Sequence, residues 1–360
     1  MTEQSLTLDL PVSAGALTHA EIFQQPELWT TTLERARAVP VLREGPVVLT
    51  GAGTSAHAAS AVAVGWPGAL AVPTTDLLLE TAPFADTGLL ISLARSGDSP
   101  ERIGVVNQVH RSHPQVRLLA ITCNPRGRLV SLPGMEVIFL DPRTNDRSLA
   151  MTSSFSNLVL AGLCLHDPGR LAPYLPAISR HVETALPTLD ALARNIARRS
   201  VSRVLVLASS PLLPAAREAA LKITEMSAGA IVALPETYLG LRHGPMAFLR
   251  PDALIVCFQS SNPVRRHYEN DLLREIKTKN LGRIVAIAET NSPDLFDDHV
   301  PANAPALPDE LRTPFEIVFP QLLAYHLSLR SGLNPDSPSP DGVIARVVQG
   351  VTLYDEHSGF

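Results

Sequence analysis

The chain has 360 residues, of which 45% are hydrophobic, and a formal net charge of −5, so it can form one large core or two domains of ordinary size. The mild acidity argues against nucleic-acid binding, no apolar run approaches the roughly 18–20 residues of a membrane helix, and the N-terminal residues lack the pattern of a signal peptide. Three isolated cysteines, Cys123, Cys164 and Cys257, predict buried thiols in the cytoplasm rather than a metal site.

The predicted elements fall into two similar sets. A mostly helical segment, 1–40, is followed by short runs rich in Val, Ile and Leu at 47–50, 89–93, 116–121 and 136–140. Three further runs, 204–207, 254–258 and 283–287, each lie about 160 residues after a counterpart in the first set, which indicates an internal duplication. We expect a first domain at 41–175, a connecting helix at 176–200, a second domain at 201–335 and a C-terminal tail over the active site at 336–360.

Runs of this kind are typical of strands buried on both faces of a parallel sheet. Helical patterns separate them, so each half is predicted to be a three-layer αβα unit with a flavodoxin-like or Rossmann-like parallel sheet. Ligands of such sheets bind beyond the carboxyl ends of the strands. The loops that follow the strands are therefore the first place to look for function.

Two loops of the first half suit a phosphate group. The first contains Gly53, Thr54 and Ser55 at the start of a helix, and the second contains Arg95, Ser96 and Ser99. Together they offer backbone N–H groups, hydroxyl donors and a cation, which are the groups that bind phosphate. The alternatives are a tight turn for the first loop and a simple helix N-cap at Ser99.

A helical segment and a later loop offer groups for proton transfer. Glu218, Lys222 and Glu225 lie on one face of the predicted helix, although a solvated row of ion pairs has the same spacing. Histidine 243 precedes Gly244 and Pro245 on a constrained turn. Carboxylates and histidine are the usual general acids and bases of enzymes.

The sequence resembles a known family. The motifs GAGTS, ARSGDSPE, EAALKITE and RHGP occur in this order and resemble a protein with two tandem sugar isomerase (SIS) domains. The similarity is to the tagatose-6-phosphate ketose/aldose isomerase family, also described as galactosamine-6-phosphate deaminase/isomerase, and more distantly to the isomerase domain of glucosamine-6-phosphate synthase.

The resemblance implies a role for each matching residue. Glu225 would move a proton between C1 and C2, Lys222 would lie near the sugar oxygens or amine, and His243 would assist ring opening from a neighbouring subunit of a homodimer. The implied substrate-binding residues are Gly53, Thr54, Ser55, Arg95, Ser96, Ser99, Thr152, Ser153 and Arg346. No metal or other cofactor is implied. The synthase has a lysine in its C-terminal tail that can form an imine, whereas this tail has arginine or glutamine at the plausible equivalents, such as Arg346 and Gln349.

The function implied is an isomerase or isomerising deaminase of a hexose or hexosamine 6-phosphate, acting through an enediol or enolamine. The product of galactosamine 6-phosphate would be tagatose 6-phosphate with ammonia. Two alternatives stay open: a non-catalytic SIS protein that only binds sugar phosphate, and an isomerase like that of glucosamine-6-phosphate synthase without its glutaminase domain. The duplicated SIS units and the presence of Glu225 and His243 favour catalysis.

Overall fold

The computed structural model describes residues 14–39, 45–80, 84, 86–304 and 307–354. Of the predicted terminal segments, residues 1–13 and 355–360 lie outside the described residues. The chain starts with helices α1 (Ala16–Phe23) and α2 (Gln25–Arg37). The first half then contains β1 (Val47–Gly51), α3 (Thr54–Gly65), β2 (Ala69–Pro73), α4 (Thr74–Leu77), β3 (Leu89–Ala94), α5 (Pro100–Ser112), β4 (Arg117–Thr122), β5 (Met135–Phe139) and α6 (Ser153–His166).

A long helix, α7 (Leu175–Ala197), leads into the second half. That half contains β6 (Arg203–Ala208), α8 (Leu213–Met226), β7 (Val232–Glu236), β8 (Leu254–Phe258), α9 (Pro263–Thr278), β9 (Arg283–Ala288), β10 (Asp298–Pro301), α10 (Thr313–Glu316) and α11 (Val318–Arg330). None of the helices in the described ranges is both long and apolar enough to cross a membrane.

Each half has one five-stranded sheet, and every strand pair is parallel. The first sheet has the order β2-β1-β3-β4-β5, and the second has the order β7-β6-β8-β9-β10. Numbered within its own half, each sheet therefore has the order 2-1-3-4-5 of flavodoxin-like folds. This confirms the predicted fold class of two tandem α/β units with parallel sheets.

Three strands were not predicted from the sequence: β2, β7 and β10. All three lie at a sheet edge, and each contains a proline, at Pro73, Pro235 and Pro301. Proline is tolerated at edges because an edge strand has one side without sheet partners. These strands are also partly exposed, so they lack the continuous apolar run of a central strand.

The two halves share one apolar core. It includes Leu49 of β1, Phe155 of α6, Val206 of β6 and Phe319 of α11, all fully buried. Helix α3, which follows the first strand of the first sheet, also packs against α8, which follows the first strand of the second sheet. This packing brings residues of α8 to the carboxyl edge of the first sheet.

Candidate active site

The loop between β1 and α3 is shaped by two glycines. Gly51 lies so close to the first turn of α3 that a Cβ there would be 2.3 Å from the backbone oxygen of Ser55. Gly53 has a φ of 54°, a conformation that favours glycine, and a side chain there would meet no atom within 4 Å. The loop thus presents open backbone at the start of a helix, as an anion site requires, while Thr54 and Ser55 are buried behind it.

The three charged residues of α8 are not a solvated row of ion pairs. The side chains of Glu218 and Lys222 are fully buried, and that of Glu225 is 23% exposed. Lys222 Nζ lies 3.4 Å from Glu218 Oε1, donates to Thr54 Oγ1 at 2.9 Å and makes a short contact with Glu225 Oε2. The alternative of a solvent-facing row is therefore wrong.

The charge of Lys222 is maintained by its neighbours. Burial by itself would lower the pKa of Lys222, but the carboxylates of Glu218 and Glu225 outweigh that effect and raise the pKa above its ordinary value. Lys222 is thus held as an ammonium group. Glu225 is the member of this group that reaches partial exposure, so it can meet a bound molecule while Lys222 stays buried.

Sequence reasoning missed one residue of this cluster, His57. Its Nδ1 lies 3.0 Å from Glu218 Oε2, and Thr54 donates to the other oxygen of the same carboxylate at 3.2 Å. The signal is weak in the sequence because His57 and Glu218 are 161 residues apart. Only the three-residue spacing of Thr54 and His57, which places both on one face of α3, could have suggested a shared partner.

The loop after β3 has a buried hydroxyl without a partner. Ser99 is the N-cap residue of α5, yet its side chain makes no capping hydrogen bond, and its Oγ has no partner among the described residues. A simple N-cap is therefore not the role of this side chain. Ser96 Oγ accepts from the backbone N–H of Asp98 at 3.3 Å and keeps its own proton available for a ligand.

Arg95 is engaged by the protein itself. Its terminal nitrogens donate to the carbonyls of Ser148 and Leu149 and, at 2.6 Å, to that of Arg346 in the C-terminal tail. Burial, followed by the nearby charge of Arg346, lowers the pKa of Arg95. In this structure Arg95 ties the tail to the site, and its contact with phosphate stays a prediction.

Thr152 and Ser153 begin α6 and are fully buried. Their backbone N–H groups donate to the carboxylate of Asp146 at 2.9 and 3.2 Å, while both hydroxyls have no partner within the described ranges. The side chain of Arg346 closes the same region by donating to Asn145 Oδ1 at 2.7 Å and to the carbonyl of Asp146. The predicted sugar contacts of these three residues are untested.

His243 lies apart from this cluster. It ends a short 3-10 helix, Gly240–His243, that follows β7, and it is exposed. No hydrogen bond or ion pair within the described residues joins His243 to Lys222 or Glu225. Glycine 244, with a φ of 129°, holds the turn that presents the histidine to solvent.

In the second half, the loop that corresponds to the Ser96–Ser99 loop is filled by the side chain of Asp309. After β8, Ser261 donates to Asp309 Oδ1 from both its N–H and its hydroxyl at 2.8 Å, and Ser260 Oγ also contacts Asp309. Asn262 caps α9 with its own side chain. Burial would raise the pKa of Asp309, but the hydrogen bonds from Ser260 and Ser261 outweigh it and lower the pKa. A carboxylate of the chain thus fills the place where the first half leaves hydroxyls free.

No group of three or more His, Cys, Asp or Glu side chains in the described part of the chain is arranged to hold a metal ion. The chemistry offered by the site is that of a carboxylate next to a buried ammonium, beside a loop that can hold an anion.

Several known proteins that are similar to this chain in sequence or in structure belong to one family. A Streptomyces coelicolor protein with the provisional name D-galactosamine-6-phosphate deaminase AgaS is 36% identical over 96% of this chain and 97% of its own length. The Escherichia coli D-galactosamine-6-phosphate deaminase AgaS is 32% identical over 95% of this chain and 96% of its own length. The crystal structure of tagatose-6-phosphate ketose/aldose isomerase from Escherichia coli superposes with a TM-score of 0.84 at 29% identity, covering 97% of this chain and 100% of that chain.

A more distant relative is the glutamine–fructose-6-phosphate aminotransferase of Gloeobacter violaceus, 27% identical over 71% of this chain and 43% of its own length. No protein-family model matches the sequence. The resemblance inferred from the motifs is confirmed: the chain belongs to the family of enzymes that includes D-galactosamine-6-phosphate deaminase AgaS and tagatose-6-phosphate ketose/aldose isomerase.

Proposed function

We propose that this protein is an isomerising deaminase of a hexosamine 6-phosphate, with galactosamine 6-phosphate as the substrate and tagatose 6-phosphate and ammonia as the products. The observation that supports this most is the pairing of half-buried Glu225 with fully buried Lys222 at the edge of the sheet that bears the hydroxyl-rich loops. Relatives at 32–36% identity bear the name of this activity.

The residues suit each step of such a reaction. The loops with Ser55, Ser96 and Ser99 would anchor the phosphate at the helix starts. Glu225 would take the proton from C2 of the open-chain aldehyde and return it to C1, converting the amino aldehyde through an enolamine into a C2 imine. Water added to that imine gives the ketone and releases the nitrogen as ammonia.

Lys222 would serve this chemistry as a fixed cation. An ammonium group close to the reacting carboxylate stabilises negative charge that develops on the sugar oxygen as the C2 proton leaves. Because Lys222 is kept protonated by Glu218 and Glu225, it is a donor rather than a nucleophile in the resting enzyme.

We further propose a homodimer in the cytoplasm with active sites shared between subunits. His243 is exposed and separate from the Lys222 cluster, and Leu239, four residues earlier, is 45% exposed. Such a surface suits a histidine that completes the site of a neighbouring copy. All three cysteines are buried and unpaired, which suits a reducing compartment.

Ammonia and ketose measured together test the proposed reaction. Purified protein is incubated separately with galactosamine 6-phosphate, glucosamine 6-phosphate and tagatose 6-phosphate. Equal amounts of ammonia and ketose from galactosamine 6-phosphate support the deaminase, whereas aldose–ketose interconversion of tagatose 6-phosphate without ammonia from either amino sugar favours the isomerase. Binding of all three without turnover would leave a sugar-phosphate-binding protein, and the proposal would be wrong.

A further inference from the structure

We infer that His57 is a positioning residue of the active site, which acts on Lys222 and Glu225 through the buried carboxylate of Glu218. This inference rests on the proposed function for its kinetic consequences, but not for its structural ones. The side chain of His57 is not among the groups proposed to bind phosphate or to carry the proton.

The contacts form one continuous series from His57 to Glu225. His57 Nδ1 lies 3.0 Å from Glu218 Oε2, and Glu218 Oε1 lies 3.4 Å from Lys222 Nζ. Lys222 in turn contacts Glu225 Oε2. Both oxygens of Glu218 are therefore engaged: His57 of α3 contacts Oε2, while Oε1 accepts from Thr54 and lies beside the lysine one turn along α8.

Because these groups are buried, losing one contact in this series affects the others. The side chains of Glu218 and Lys222 have no exposed surface, while that of His57 is 25% exposed. A buried carboxylate that loses a hydrogen-bond donor is left with an unsatisfied oxygen, so it turns toward a new partner. Such a turn alters the contact that holds Lys222 beside Glu225.

The role assigned to His57 is that of a donor, not of a carrier of protons. An ionised carboxylate only accepts hydrogen bonds, so Nδ1 bears the proton in this pair. In the part of the chain that the structure describes, Glu218 is the charged group that His57 contacts. A side chain that supplies an N–H at the same place should therefore suffice, even if it cannot titrate.

Two substitutions separate these roles. His57→Asn places an amide N–H close to the position of Nδ1 and should keep kcat within about threefold of the original protein. His57→Ala removes the donor and should lower kcat roughly 10- to 100-fold, the scale of a small misplacement of reacting groups. KM should change less than kcat because the side chains proposed to bind phosphate are all kept. His181→Ala, an exposed histidine of α7, is the matched control.

A second measurement needs no turnover at all. The chain contains three lysines, Lys222, Lys277 and Lys279, so protein labelled with ¹⁵N-lysine gives three side-chain nitrogen signals, and Lys222→Met identifies that of Lys222. In His57→Ala the Lys222 signal should shift while those of Lys277 in α9 and of Lys279 just after it stay in place, and in His57→Asn all three should match the original.

These measurements test the role of His57 independently of the proposed reaction. An unchanged Lys222 signal in His57→Ala shows that His57 does not position Lys222. Equal loss of kcat in His57→Asn and His57→Ala shows that the histidine carries protons instead. If the original protein does not turn over amino-sugar phosphates, the nitrogen signals still test His57, and the failure belongs to the proposed reaction alone.

Discussion

Thr54 Oγ1 lies between two members of the buried ion cluster: it accepts from Lys222 Nζ at 2.9 Å and donates to Glu218 Oε1 at 3.2 Å. Thr54 belongs to the first half of the chain, and both partners belong to the second. The candidate active site is therefore built across the duplication.

Glu225→Gln should lower kcat by about 100-fold or more, because the amide keeps the shape of the side chain but cannot take a proton. Substrate affinity should change little, since Glu225 is not one of the residues proposed to bind phosphate. The decisive measurement is exchange of deuterium from C2 of the substrate into solvent. Exchange at the normal rate would move the base to another carboxylate, with Glu236 as the next candidate because Glu218 is fully buried.

The double change Ser96→Ala with Ser99→Ala should weaken sugar-phosphate binding by on the order of 100-fold or more, because two hydrogen bonds to a charged group contribute roughly 1.5–3 kcal/mol each. Calorimetric titration with the substrate or with inorganic phosphate measures the loss. Ser112→Ala, an exposed serine at the other end of α5, is the matched control. Binding that equals the control would exclude this loop as the anchor.

His243→Ala should slow reaction of the cyclic sugar more than that of an open-chain analogue, since ring opening needs a group that both gives and takes a proton. The shared site can be tested by complementation. Hybrids of His243→Ala with Glu225→Gln regain one intact site per heterodimer, so a random mixture should recover about a quarter of the original activity. A mixture as inactive as its parents would show that each subunit uses its own histidine.

Glu269 should make the protein less stable as pH rises from about 5 to 8. Burial raises the pKa of this carboxyl to about 7, against 4.5 for a free side chain, so the folded state binds the proton more tightly than the unfolded state. Its contribution is present in full below the unfolded pKa and is lost as pH rises through the folded pKa, on the order of 3 kcal/mol in all.

Urea unfolding at several pH values measures this effect. Glu269→Gln should remove that part of the pH dependence, whatever it does to absolute stability, and Glu183→Gln on the exposed face of α7 should keep it. A Glu269→Gln protein with the original pH dependence would show that another group is responsible.

The central strands could be predicted from sequence because strands buried on both faces need uninterrupted apolar runs. The edge strands β2, β7 and β10 could not, since their prolines and exposed residues are equally typical of loops, whereas the proline-free edge strand β5 could be predicted. For the site, Gly53 and Ser99 were recognisable because turns and helix starts have local signatures. The burial of Lys222 could not be predicted, because the spacing of charges along α8 is the same whether the face meets water or another helix. Which of the two it meets depends on the packing of α3 against α8, and this packing leaves no mark in the sequence of either helix.

Asp309 gives the duplicated chain a permanent asymmetry. Its carboxylate is tethered to the loop that it fills, so its effective concentration there does not fall on dilution, and a free anion would have to displace it. In the second half a side chain of the protein thus takes the place of a ligand, whereas we propose that the first half makes such contacts with a bound phosphate. Added substrate should therefore slow amide hydrogen exchange in the loops around Gly53 and Ser99 and leave the loop around Ser261 unchanged, with the first half responding to the metabolite and the second half serving as a fixed support.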